Sequence, residues 1–92
     1  MEFAPAIPER WREFIERREA LLVVYRYNTA RAYWADLQDW FEWSVRRGKD
    51  VLALTENDQK QYIALLRRRN YSESTIRRRK IALRLLVATQ SD

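Results

Sequence analysis

A single glycine and two prolines in 92 residues leave few places for this chain to turn back on itself. Sheet folds need frequent breakers between short strands, and the β-branched residues here are too scattered to build such strands. Apolar residues instead recur at the three-or-four-residue interval of a helix face. The sequence therefore predicts an all-α domain, a compact bundle of four helices over about 8–25, 29–47, 55–69 and 72–88.

Ninety-two residues, 47% of them apolar, make one small domain spanning 1–92 that can close a core without metal or disulfide. Residues 1–7 read as an N-terminal tail, and 89–92 as a frayed end or the start of a linker. The chain has no cysteine and no histidine. Zinc fingers, disulfide frameworks and thiol nucleophiles are excluded, and so are the usual general base and the commonest metal ligand. No cofactor is expected. Met1-Glu2-Phe3 lacks the basic and apolar regions of a signal peptide, and no apolar stretch approaches the length of a membrane span, so no membrane partner is expected.

Pro8 suits the first turn of helix one, whose stripe would run through Trp11, Phe14, Ile15, Leu21, Leu22 and Tyr25, broadened at its end by Val23 and Val24. Asn28 or Thr29 is the expected cap of helix two. Its inward residues, Ala30, Tyr33, Trp34, Leu37, Phe41 and Val45, are flanked by Trp40 and Trp43, a width that suits a central helix or a protein-contact surface. Asp36, Asp39 and Glu42 fall on its polar side, where they read as surface and salt-bridge groups rather than a hydrolytic or metal site. Gly48 should end it in a left-handed cap. Val51, Leu52 and Leu54 would plug the core from a short connection. Thr55, followed by Glu56 and Asp58, marks the start of helix three, which should bury Tyr62, Ile63, Leu65 and Leu66. Ser72 is the expected cap of helix four, with Ile76, Ala82, Leu83, Leu86 and Val87 facing inward, Arg79 at the margin, and Arg77, Arg78 and Lys80 turned away.

The net charge of +5 is unevenly spread. Residues 1–50 carry nine basic and nine acidic side chains, whereas 51–92 carry nine basic and four acidic. Seven cations surround a lone acid between Arg67 and Lys80, split by the helix-start signal Tyr71-Ser72-Glu73-Ser74-Thr75. That asymmetry favours a polyanionic partner for one side of the domain, although Arg67, Arg68 and Arg69 also suit the negative end of helix three with no ligand at all.

Two stretches in register resemble one known family. Asn28-Thr29-Ala30-Arg31-Ala32-Tyr33-Trp34-Ala35-Asp36-Leu37-Gln38-Asp39-Trp40-Phe41 resembles the second helix of the N-terminal, core-binding domain of tyrosine recombinases and phage integrases, where a Thr, a Tyr four residues on, an Asp-Leu pair and a later Phe recur. Tyr71-Ser72-Glu73-Ser74-Thr75-Ile76-Arg77-Arg78-Arg79 resembles its closing helix, and Leu54-Thr55-Glu56-Asn57-Asp58 followed by Tyr62 is similar to the start of its third. The resemblance covers roughly Trp11 to Val87, and order and spacing carry it rather than any single motif. Gln59 departs from the aliphatic common at its position, and the join around Tyr25-Arg26-Tyr27 is atypical.

The resemblance implies a SAM-like four-helix bundle that clamps one face of double-stranded DNA, while a separate C-terminal domain holds the chemistry and neighbouring recombinase protomers complete the assembly. It implies a DNA-associated, cytoplasmic protein. The family's catalytic residues lie downstream of this module, so the chain reads as a non-catalytic binder. With the charge argument, the resemblance points to Arg26, Asn28, Thr29 and Arg31 at the start of helix two, and to Ser72, Ser74, Thr75, Arg77, Arg78 and Lys80 on helix four. Cations and hydroxyls beside helix N-termini are suited to phosphate oxygens, and one Arg could reach a base edge. The same cations would also serve as a solvated helix face, and Ser72 is first of all a cap. The competing function is a helical protein-interaction domain, with a Trp-rich surface in which Trp11, Trp40 and Trp43 stand partly exposed.

Overall fold

The computed structural model describes residues 8–89 as four α-helices and one 3₁₀ turn. These are α1 (Glu9–Leu22), α2 (Tyr27–Arg46), the turn Val51–Ala53, α3 (Glu56–Arg68) and α4 (Glu73–Ala88). The expected tail 1–7 and residues 90–92 of the expected frayed end lie outside the described residues. Thr89 closes α4, its backbone N–H and its hydroxyl both donating to the Leu86 carbonyl.

Helix boundaries follow local chemistry, and two of them differ from the sequence expectation. Helix α1 stops at Leu22, three residues early, because the chain turns there, with the Tyr25 N–H donating to the Leu22 carbonyl. Val23 and Val24 are thereby carried out to solvent at 79% and 76% exposure instead of extending the buried stripe. Helix α2 starts at Tyr27, with Arg26 as its N-cap, and neither Asn28 nor Thr29 caps it. The Ala30 N–H already donates to the Arg26 carbonyl at 2.8 Å, and the Tyr25 ring sets the join edge-on against Tyr33 at 5.2 Å.

Gly48 adopts φ 67°, and the Lys49 and Gly48 N–H groups return to the Ser44 and Val45 carbonyls, a Schellman ending for α2. Asn70 does the same for α3 at φ 62°, with the Tyr71 and Asn70 N–H groups donating to Leu66 and Arg67. Thr55 and Asp58 form a reciprocal capping box at the start of α3.

Helix α2 is the centre of the bundle. Phe41 stacks on Phe14 of α1 at 4.5 Å, and the Trp40 indole N–H donates to the Arg79 carbonyl of α4 at 2.9 Å. Tyr62 of α3 stacks on Trp40 at 3.8 Å and meets Trp43 edge-on. Leu37, Leu66, Ile76, Ala82, Leu83 and Leu86 fill the space between, with Val51 and Leu52 plugging one end. Burying each large side chain is worth about 1.5–3 kcal/mol, so this aromatic centre is the main source of cohesion.

Its composition corrects the sequence reading of the tryptophans. Trp40 and Trp43 are buried, and it is Trp34, assigned to the core, that stands 43% exposed. The width of α2 serves three neighbours, α1, α3 and α4. Val87 likewise lies outside the core, and Leu65 only partly inside it.

Candidate nucleic-acid interface

The N-terminus of α2 is the least capped in the fold. No side chain accepts from its first turn, and no acid sits there, in contrast to α3 and α4. Its positive end is left to solvent, with Arg26, Asn28, Thr29 and Arg31 all exposed around it. Arg31 has no ion-pair partner among the described residues and lines a shallow groove of about 480 Å³ with Glu19, Leu22, Val23, Tyr27, Ala30 and Trp34.

The start of α4 is built differently. The Ser72 hydroxyl accepts from the Thr75 N–H and donates to the Thr75 hydroxyl, both at 3.1 Å, so these two side chains already satisfy each other. Glu73 is gripped by Arg67 through two hydrogen bonds of 3.1 and 3.2 Å. That contact holds the Glu73 carboxyl below its ordinary range, aided by Arg77 and Lys80. Ser74, Arg77 and Lys80 are exposed, and neither cation has an ion-pair partner among the described residues.

Arg84 joins them. It lies seven residues beyond Arg77, two helical turns of about 100° per residue, so the two share a row on the outer face of α4. The sequence reading omitted Arg84, although its spacing from Arg77 was the available signal.

Arg78 is exposed, as the sequence suggested, but it is not a free cation. Its Nε lies 2.7 Å from Asp36 Oδ2 and its Nη2 3.0 Å from Asp36 Oδ1, a side-on bidentate pair between α4 and α2. Asp36 is fully buried, which corrects its placement on the polar surface. Burial there is possible because Arg79 adds Nε at 3.1 Å to the same carboxylate. Arg79 Nη1 also donates to Asp39 and to the Tyr62 hydroxyl, each at 3.0 Å, and Tyr62 in turn donates to Asp39. Burial and the hydrogen bond to Asp39 push the Tyr62 phenol up. Two arginines thus answer two carboxylates, and the set ties α2, α3 and α4 together.

The ten residues chosen from sequence lie around the start of α2 and along the first half of α4. Asp36 brings Arg78 onto α2, and Thr29, seven residues earlier, looks out along the same side of that helix about 10 Å away. Arg31, five residues before Asp36, is turned about 140° from it, toward α1. Ser74, Arg77, Lys80 and Arg84 face outward from α4. The outer side of α1 carries Glu9, Glu13, Glu16 and Glu19, all exposed, with Glu13 paired to Arg17 at 2.9 Å and Glu9 to Arg12 at 3.9 Å, so it is a mixed surface unlike the cationic face of α4.

Among the described residues no cluster of acids is placed to hold a metal ion, and no helix is long and apolar enough to cross a membrane. Comparison with curated proteins and with solved structures returned no match. The family model described as "Phage integrase, N-terminal SAM-like domain" matches residues 10–89, which takes in all of the four helices but Glu9. The matched region is the family's non-catalytic part, and its role is tied to DNA recombination. The chain belongs to the phage integrase N-terminal SAM-like domain family.

Proposed function

We propose that this domain grips double-stranded DNA for a tyrosine recombinase or integrase, contributing affinity and register at the recombination site while a C-terminal catalytic domain performs strand exchange. The observation that carries the reading is the outer face of α4, where Arg77, Lys80 and Arg84 stand exposed, without ion-pair partners among the described residues. A duplex presents phosphates at close intervals along each strand, and a row of unpaired cations is the electrostatic complement of that backbone. Ser74 would donate to phosphate beside that row. At the uncapped start of α2, Arg26, Asn28 and Thr29 would add contacts through side chains and backbone N–H groups, with Arg31 at its edge. Ser72 and Thr75 would act first by fixing the helix start, and Arg78 as described below. The full protein would be associated with DNA in the cytoplasm, with neighbouring protomers sharing the grip.

Two of the three tryptophans behind the competing protein-interaction reading, Trp40 and Trp43, are interior, which weakens that reading. Anisotropy titration against duplex DNA at several salt concentrations tests the proposal. If four cations each meet one phosphate, the logarithm of affinity should fall with that of salt at a slope of about −3.6, roughly a hundredfold loss between 50 and 200 mM. Binding that ignores salt, or survives neutralisation of Arg77 and Arg84 with its slope unchanged, would reject this face.

A further inference from the structure

We propose that Asp36 is a positioning residue, holding Arg78 so that two parallel N–H donors are presented to a bidentate acceptor on duplex DNA. The inference rests on the DNA-binding reading and adds a specific device to it. A guanidinium has two edges that can form paired hydrogen bonds, one through Nε and one Nη, the other through both Nη atoms. Asp36 occupies the first edge of Arg78, at 2.7 and 3.0 Å. Nη1 has no partner among the described residues, and the side chain remains 43% exposed, so the second edge is available toward solvent. Asp36 itself is buried and held by Arg79, so the buttress is anchored in the core.

An unbuttressed arginine loses much rotamer freedom when it binds, whereas here most of that ordering is done on folding. The acceptor pair is either two phosphate oxygens or O6 and N7 of a guanine, since both match the fork.

The test uses the whole chain with two probes of equal length, a guanine-containing duplex and an all-A·T duplex. Asp36→Asn removes a negative charge, so a merely electrostatic account has it tighten binding. The buttress account has it weaken binding about two- to tenfold, the cost of reordering one long side chain. Arg78→Lys, which keeps the charge but not the fork, should weaken binding close to the level of Arg78→Ala. In an Arg78→Ala background, Asp36→Asn should cause no further loss, a result that a purely structural role for Asp36 would not give.

If Arg78→Ala weakens both duplexes alike and reduces the salt slope by about one, the acceptor is phosphate; if it weakens the guanine-containing duplex selectively with little change in slope, the acceptor is guanine. Unchanged or tighter binding by a folded Asp36→Asn variant overturns the proposal. Should that variant not fold, wild-type affinity in Arg78→Lys overturns it instead. A wild-type chain that binds neither duplex removes the DNA-binding reading and this inference together, whereas wild-type binding with an indifferent Arg78 removes only the inference.

Discussion

Replacing Asp36 by Ala should be among the most destabilising changes available in this domain. The carboxylate is fully buried and accepts three hydrogen bonds, at 2.7 and 3.0 Å from Arg78 and 3.1 Å from Arg79. Breaking a buried ion pair by removing one partner costs about 3–5 kcal/mol, because the surviving charge is left in a poor solvent. Here the two arginines contribute unequally. Arg78 is 43% exposed and can turn to water, so its share is about 0–1 kcal/mol. Arg79 is only 11% exposed, yet it keeps Asp39 and the Tyr62 hydroxyl at 3.0 Å, which places the total near the low end, about 3 kcal/mol. A domain of this length has about 5–14 kcal/mol of stability in all. The variant should therefore lose a large part of it, seen as a fall in Tm of about 12–24 °C. Urea unfolding followed by circular dichroism would give the same loss as a shift in midpoint at constant slope. Adding Arg79→Met should deepen the loss, since Asp39 and the Tyr62 hydroxyl then lose their shared donor. A cost below about 1 kcal/mol for Asp36→Ala would refute the reasoning, because values that small belong to solvated pairs.

Three further outcomes follow from the same geometry. Asn70→Gly should leave stability unchanged or slightly raised, whereas Asn70→Val should cost about 1–2 kcal/mol in a urea melt, since φ 62° is hostile to a β-branched residue. The Thr55 backbone N–H, donating at 3.0 Å to Asp58, holds the Asp58 carboxyl below its ordinary value of 3.8, with the Thr55 hydroxyl and Lys49 assisting. A depressed folded value contributes stability that is complete above 3.8 and is lost as pH falls through the lowered value, so the gap between wild type and Asp58→Asn should narrow in that acid window in pH-resolved melts. Arg84→Ala should reduce the salt slope of duplex binding by about one and leave the melting curve within about 0.5 kcal/mol of wild type.

Much of the fold was legible because its signals are local. Gly48, Thr55 and Ser72 each mark a boundary within four residues of chain, and the structure uses all three for the purpose their chemistry suggests. The join between α1 and α2 was not legible, because Asn28 and Thr29 are better caps in isolation than Arg26. In the structure Arg26 is the cap, and Tyr25 packs edge-on against Tyr33 across the join, a contact that cap preferences alone do not register. The same limit explains Asp36. On a helical projection an Asp flanking an apolar stripe looks solvated, and only a partner 42 residues away shows that it is interior. Trp34 was misplaced for a complementary reason. Its spacing is right for the core, but α1 ends at Leu22 and leaves its outer side covered only in part, by the Arg18 guanidinium at 4.4 Å. Charge asymmetry along the chain pointed to α4 from the outset. Which of its cations were already committed to the protein was a question of pairing in space.

Chemical-shift mapping of the isotopically labelled chain against a short duplex tests the central claim most directly. The account predicts that perturbations concentrate at residues 26–31 and along 72–84, growing as salt is lowered. Perturbations confined to α1, or a spectrum unmoved by DNA at low salt, would contradict it.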